Sequence, residues 1–113
     1  MFTEEQRIYT ISAKLPKEDI EAIKLYIQGA VDGFCNNRAE RFSVLKLFGG
    51  ENRDWHGTPL QKIYDYHDEN KAPNPWDSSR RDAGWLLLTV LQEDERWYYE
   101  KYEEYHGNEY CRK

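Results

Sequence analysis

The spacing of apolar residues predicts amphipathic helices separated by short polar segments. The strongest pattern lies in residues 16–37, where apolar side chains recur every three or four positions. These side chains are Ile20, Ile23, Ile27, Ala30 and Phe34. Pro16 suits a first helical turn, and the acidic residues behind it complement the helix dipole. Asn36 and Asn37 are expected to end this helix.

The amino-terminal pattern is more ambiguous. Thr3 and Gln6 have the spacing of a capping box, which predicts a first helix that continues to Leu15 and ends at Pro16. Residues 8–11, Ile-Tyr-Thr-Ile, would also suit a short strand.

Two shorter helices are expected in the middle of the chain. Residues 40–50 are apolar enough for one or two helical turns, ended by a pair of glycines. Residues 58–70 follow a polar loop and predict a longer helix, with Thr58 as its N-cap and Pro59 in its first turn.

The last predicted helix is the longest. It would be capped by Asp77 or Ser78, run from about Arg80 to Tyr105 and stop at Gly107. Its second half would face the core through a narrow seam of Leu91, Tyr98, Tyr102 and Tyr105. The expected fold is therefore all-α: residues 1–113 form a single domain, a bundle of four to five helices with a long carboxyl-terminal helix.

Composition narrows the class of protein. The chain has 113 residues, of which 15% are aromatic, and disordered chains typically lack aromatic residues. Its formal net charge is −5. Because affinity for phosphates depends largely on lysine and arginine, this balance disfavours direct nucleic-acid binding and favours a basic partner.

The chain also lacks the patterns of export or membrane insertion. Its start, MFTEEQRIYT, has neither the basic flank nor the apolar core of a signal peptide. The longest apolar run, GWLLLTVL, is too short to span a bilayer. We therefore expect a cytoplasmic protein.

The segment RWYYEKYEEYHGNEYC combines rings with acidic residues. Tyrosine and tryptophan suit protein interfaces, and carboxylates around them would steer a basic partner. The predicted partner-binding residues are Trp97, Tyr99, Glu100, Glu103, Glu104 and Glu109. Two alternatives stay open: the segment could be an amphipathic helix whose rings cover neighbouring helices, or it could pair with a second copy of the chain.

Cysteine and histidine residues suggest a structural zinc site. His106 and Cys111 flank the predicted helix end, and Cys35 would be a third ligand. His56, His67 or a carboxylate could complete the set. Such a site would make the protein a zinc-stapled structural or adaptor domain, which is a further functional hypothesis. The alternative to zinc is a histidine at a helix end and an unrelated thiol.

No catalytic motif is present. Asp65, His67, Asp68 and Glu69 lie close together in sequence, but one helical face cannot present all four. The chain has no nucleophile elbow, phosphate loop, dinucleotide fingerprint or paired zinc-protease histidines. We therefore expect a protein that is not an enzyme.

A helix-turn-helix regulator is the second functional hypothesis. Residues 36–62 are the one net basic stretch, and residues 58–70 would form the DNA-reading helix. That helix offers Gln61 and Lys62, but Asp65, Asp68 and Glu69 would meet phosphates.

Three motifs carry a resemblance to known sequences. They are Phe-Ser-x-x-x-Leu-Phe-Gly-Gly, Trp-x-Gly-Thr-Pro-Leu and Ala-Gly-Trp-Leu-Leu, within residues 40–96. In these motifs the chain resembles small uncharacterised proteins of bacteriophages and mobile elements. In size and charge it is also similar to anti-CRISPR inhibitors of type II effector nucleases. The resemblance implies an inhibitor in the bacterial cytoplasm that blocks DNA binding or loading, either by acidic mimicry or by pinning a mobile domain.

Overall fold

The computed structural model describes residues 11–36, 40–49, 55–105 and 107–113. In this part of the chain, four α-helices precede one antiparallel β-hairpin. The elements are α1 (Lys17–Cys35), α2 (Val44–Phe48), α3 (Gln61–Glu69), α4 (Pro75–Glu93), β1 (Tyr99–Glu104) and β2 (Gly107–Arg112). The prediction of an all-α fold is therefore wrong, because the carboxyl-terminal residues form strands.

Helix α1 confirms the strongest sequence pattern. It begins after Pro16 and is capped at its carboxyl end by Asn36. Ile23, Ile27 and Val31 are fully buried and contribute to the core against α4. Burial of three branched aliphatic side chains stabilises this packing by several kcal/mol, at about 1.5–3 kcal/mol each.

The two middle helices also form, with different starts. In α2, the Ser43 hydroxyl accepts a hydrogen bond from the backbone N–H of Lys46 at 3.1 Å, and Gly49 ends the helix with a φ of 84°. Helix α3 begins at Gln61 rather than at Thr58. The Thr58 hydroxyl instead donates to the backbone carbonyl of Trp55 at 2.7 Å, which holds residues 58–60 in a turn.

Helix α4 is central and contacts each of the other three helices. Its N-cap is Asn74, whose side chain accepts from the backbone N–H of Asp77 at 3.1 Å, and Pro75 occupies the first turn. The predicted cap at Asp77 or Ser78 is therefore wrong: Asn74 and Pro75 already supply the capping oxygen and the preset φ that start a helix.

The predicted long helix from Arg80 to Tyr105 is also wrong, since α4 ends at Glu93. The Asp94 carboxylate accepts hydrogen bonds from the backbone N–H of Arg96 and from the hydroxyl of Tyr99. These bonds hold the chain in a bend instead of a further helical turn. Tyr98 and Tyr105, which the helix would have buried, are 55% and 106% exposed.

The segment before α1 is tied to the core by Asp82. The backbone N–H groups of Ser12 and Ala13 donate to the two Asp82 carboxylate oxygens at 2.9 and 3.0 Å. Residues 1–10, with most of the predicted first helix, lie outside the described residues. Residues 11–15 are not helical, and the backbone N–H groups of Ser12 and Ala13 bond to Asp82.

None of the helices in the described ranges has the length and apolarity needed to cross a membrane.

Candidate protein-binding site

The hairpin lies against the core through a third, very short strand segment. Phe42 and Tyr110 exchange two backbone hydrogen bonds, of 2.7 and 2.8 Å. On its other side, β2 pairs with β1, so that Lys101 lies opposite Tyr110. Strand β2 is therefore central, and β1 forms the outer edge of this small sheet.

The direction of the hydrogen bonds along β1 follows from this arrangement. Because Tyr110 directs its N–H and C=O toward Phe42, the opposite residue Lys101 occupies a pair without hydrogen bonds in the hairpin. The backbone groups of Lys101 and Glu103 consequently point away from β2. The bond from the Lys113 N–H to the Tyr98 carbonyl, at 2.8 Å, fits the same alternation. Strand β1 thus presents an outward row of donors and acceptors.

Exposed rings flank this edge. Trp97 and Tyr98 precede β1 and are 42% and 55% exposed, and Tyr105 follows it in the turn. They are three of the six large apolar side chains exposed in the described part of the chain. Exposed aromatic side chains on both sides of an open strand edge suit an interaction surface. Trp97 is exposed, and its predicted role in partner binding stays a prediction.

The acidic residues of the hairpin each have a basic neighbour. Lys113 lies 2.9 Å from Glu100, Arg41 lies 2.8 Å from Glu104, and Lys101 lies 3.5 Å from Glu103.

Arg41 also lies 3.7 Å from Glu109 and stacks on the ring of Tyr102 at 3.6 Å. Sequence reasoning missed Arg41, since it lies 63 residues before its partner Glu104. The surface is consequently a mosaic of both charges rather than an acidic row.

Tyr99 lies in the core, although the sequence predicts it on the partner-binding surface. It is 1% exposed, and its hydroxyl donates to Asp94 at 2.7 Å and accepts from Arg112 at 2.9 Å. Arg112 also binds Asp32 of α1 at 2.6 Å. This network fastens the base of the hairpin to α1 and to the end of α4.

The network shifts the pKa of its acids. Burial raises the pKa of Asp94, but hydrogen bonds from Arg96 and Tyr99 outweigh burial and lower that pKa from 3.8 to about 2. Burial likewise raises the pKa of Asp32, and hydrogen bonds from Arg112 and Arg96 lower it overall. The folded protein therefore favours the charged form of both carboxylates.

We expect the protein to lose stability in acid. The stabilisation from Asp94 is fully present above its unfolded pKa of 3.8 and disappears as the pH falls toward about 2. The expected loss is about 2 kcal/mol in the free energy of unfolding. Urea denaturation of the parent protein and of Asp94→Asn across this pH range measures it. If the variant retained the full pH dependence of the parent, this role of Asp94 would be contradicted.

The structure describes two of the three predicted zinc ligands. Cys35 and Cys111 are both buried, and burial raises the pKa of the Cys35 thiol, with Arg112 opposing this rise and Cys111 adding to it. His106 lies outside the described residues. Within the described ranges no group of three or more histidine, cysteine or acidic residues could hold a metal ion. Zinc thus stays a prediction, which metal analysis of the purified protein would test.

The two other candidate zinc ligands are placed differently. His56 is exposed, whereas His67 is buried and its Nε2 lies 2.7 Å from an Asp82 oxygen. The Ser12 hydroxyl donates to the same carboxylate at 2.9 Å. Although serine, histidine and aspartate meet here, the histidine nitrogen that would activate the serine is already bound to Asp82. This arrangement does not provide the serine–histidine relay of a hydrolase.

Helix α3 has little basic surface to offer DNA. Lys62 binds Asp19 of α1 at 2.8 Å, and Gln61 binds Asp65 at 2.8 Å. Asp68 and Glu69 are exposed at the end of the helix. The side chains proposed to read DNA are therefore engaged by acids.

No family model, curated protein or solved structure matches the chain. The resemblance to phage proteins consequently stays a prediction from the sequence.

Proposed function

We propose that this protein is a non-enzymatic binding domain that uses the outer edge of β1 to capture an extended segment of another protein. The outward backbone row at Lys101 and Glu103, flanked by exposed rings, carries this proposal. A strand added to a sheet edge gains affinity from main-chain hydrogen bonds, and side-chain pockets add selectivity.

The charges along β1 would select the partner. Charged residues on an edge strand disfavour unselective pairing with other strands. Lys101 and Glu103 pair with each other. A segment that separates this pair must offer an acidic residue to Lys101 and a basic residue to Glu103. We therefore expect a partner strand with alternating acidic and basic residues, rather than a uniformly basic one.

A guide-loaded type II CRISPR nuclease is the first partner to test, on the resemblance described above. In this proposal the protein inhibits the enzyme by occupying or pinning the part that loads target DNA. The mosaic of charges on the hairpin favours pinning of a mobile domain over mimicry of a phosphate row.

The test compares two variants at one position. Lys101→Pro removes an outward N–H that the hairpin does not use, and proline is tolerated on edge strands. Lys101→Ala removes the same charge but keeps the N–H. We expect the parent protein to block target cleavage near equimolar amounts, and Lys101→Ala, which loses one selecting charge, to need only slightly more protein. Relative to Lys101→Ala, Lys101→Pro should need at least about tenfold more protein, which corresponds to the loss of about 1.4 kcal/mol from the missing N–H.

The results separate the target from the mode of binding. Full cleavage at a large excess of parent protein would contradict the nuclease as target. Equal inhibition by the parent and both variants would contradict strand addition at β1. Sedimentation of the three proteins also reveals whether the edge pairs with a second copy of the chain.

A further inference from the structure

A cleft of about 630 Å³ opens between α2, α4 and the start of β2. Its volume lies within the range of small-molecule sites. Residues of one face of α4 form its long wall, and Ser43 to Leu45 and Asn108 close it from the other elements. The cleft is separate from the outer edge of β1, since it borders β2.

The charge on this cleft is opposite to that of the whole chain. Arg80 and Arg81 line it together with a single acid, Asp77, although the chain carries a net charge of −5. Arg80 is bound to Asp77 at 2.7 Å. Among the described residues, Arg81 has no ion-pair or hydrogen-bond partner.

Arg81 differs in this from the other arginines that the structure describes. Arg41, Arg96 and Arg112 each bind a carboxylate within 3.0 Å, as Arg80 does. A guanidinium presents planar, paired donors that suit carboxylate and phosphate groups. The cleft thus holds an arginine available to an external anion.

The remaining surface of the cleft is largely apolar. Val44, Trp85 and Leu87 line it, next to Gly84. A Cβ atom at Gly84 would contact only the Val44 Cγ2 atom, at 4.0 Å. Gly84 therefore leaves room for at least a methyl group between α4 and Val44 of α2, within the cleft.

We propose that this cleft binds a small organic anion, whose carboxylate or phosphate pairs with Arg81 and whose apolar body lies over Gly84 against Trp85. Asn108 lies on the opposite wall, and its amide can donate to the anion or to a polar group on the body. This inference does not depend on the proposed binding of a protein at β1.

Nuclear magnetic resonance titrations with three probes test the site. Phenylacetate and phenyl phosphate carry the two anions on similar rings, and phenylacetamide is a neutral analogue. We expect saturable shifts at Arg81, Gly84, Asn108 and the Trp85 indole. At least one anion should bind about tenfold or more tightly than the amide, as a charge-assisted hydrogen bond implies. The stronger of the two identifies the preferred anion.

Two pairs of variants locate the binding. Gly84→Leu should fill the cleft and abolish the shifts, whereas Gly84→Ala should keep the fold and most of the binding. Arg81→Gln should remove the preference for the anions, whereas Lys17→Gln, the same charge change outside the cleft, should not.

Three results would overturn the proposal. They are equal binding of the neutral and anionic probes, unchanged binding in Arg81→Gln, and the absence of saturable shifts with either anion at millimolar concentration. Circular dichroism of each variant shows whether the helices are retained. Inhibition of a nuclease plays no part in these readouts, so failure here leaves the proposal for β1 standing.

Discussion

Asp82→Ala is expected to lower the free energy of unfolding by about 3–5 kcal/mol, because it removes a buried charge with several partners. The Asp82 side chain is 1% exposed and lies 2.7 Å from His67 Nε2. It also accepts from the hydroxyl of Ser12 and from the backbone N–H groups of Ser12 and Ala13. Alanine leaves all of these groups without their acceptor, and two of them are backbone donors that water must reach.

Asp77→Ala is the matched control on the same helix. Its side chain is 56% exposed and bound to Arg80, so its removal should cost less than about 1 kcal/mol. Urea denaturation measures both variants. Hydrogen exchange adds a local readout: asparagine keeps only one acceptor oxygen, so at least one of the Ser12 and Ala13 amides should lose protection in Asp82→Asn even if Asp82→Ala does not fold. Similar costs for Asp82→Ala and Asp77→Ala would contradict an anchoring role for Asp82.

The helical part of the fold could largely be predicted because its signals are local. The apolar stripe predicted for α1 overlaps its buried face at Ile23 and Ile27, while Val31 and Cys35 complete that face, and Gly49 ends α2 as expected. The start of α4 also had a local signal in Asn74 and Pro75, a capping residue followed by proline. That signal was missed because the two residues stand in a proline-containing loop sequence.

The hairpin could not be predicted in the same way, because distant residues determine it. Residues 94–105 are rich in glutamate, lysine and arginine, which favour a helix locally. The deciding contacts come from elsewhere in the chain: Phe42 pairs with Tyr110, and Asp32 of α1 binds Arg112. Gly107 followed by Asn108 was a local sequence signal for a turn. In the structure Gly107 has a φ of 131°. Tertiary contacts here override helix propensity.

The same distinction applies to the candidate binding site. Exposure of Trp97 and of the glutamates at positions 100, 103 and 104 was predicted, because polar and amphipathic residues seldom bury without partners. The open backbone edge of β1 was not predicted, because it exists only once β2 lies between β1 and Phe42. The expected acidic surface became a mosaic of both charges because Arg41, which is distant in sequence, pairs with Glu104 and Glu109.

Phe42→Ala is expected to separate the hairpin from the helices and to lower the free energy of unfolding by about 3–5 kcal/mol. Phe42 is fully buried and packs against Phe34, Tyr99 and Tyr110, with ring centroids 5.8 to 6.3 Å apart. It is also the residue whose backbone pairs with β2. Removing the ring opens a cavity between the hairpin and α1 and leaves mainly the Asp32, Asp94 and Arg112 network at the hairpin base.

The hairpin should loosen before the helices unfold. Amides of β1 and β2 should exchange faster in Phe42→Ala than those of α1 and α4, because the helices keep their own apolar contacts. Phe42→Leu, which retains most of the apolar volume, should cost less than half as much. Uniform acceleration of exchange in hairpin and helices would show that the hairpin is not a separable unit. If the hairpin alone loosens, partner binding at β1 should weaken in parallel, since strand addition requires an ordered edge.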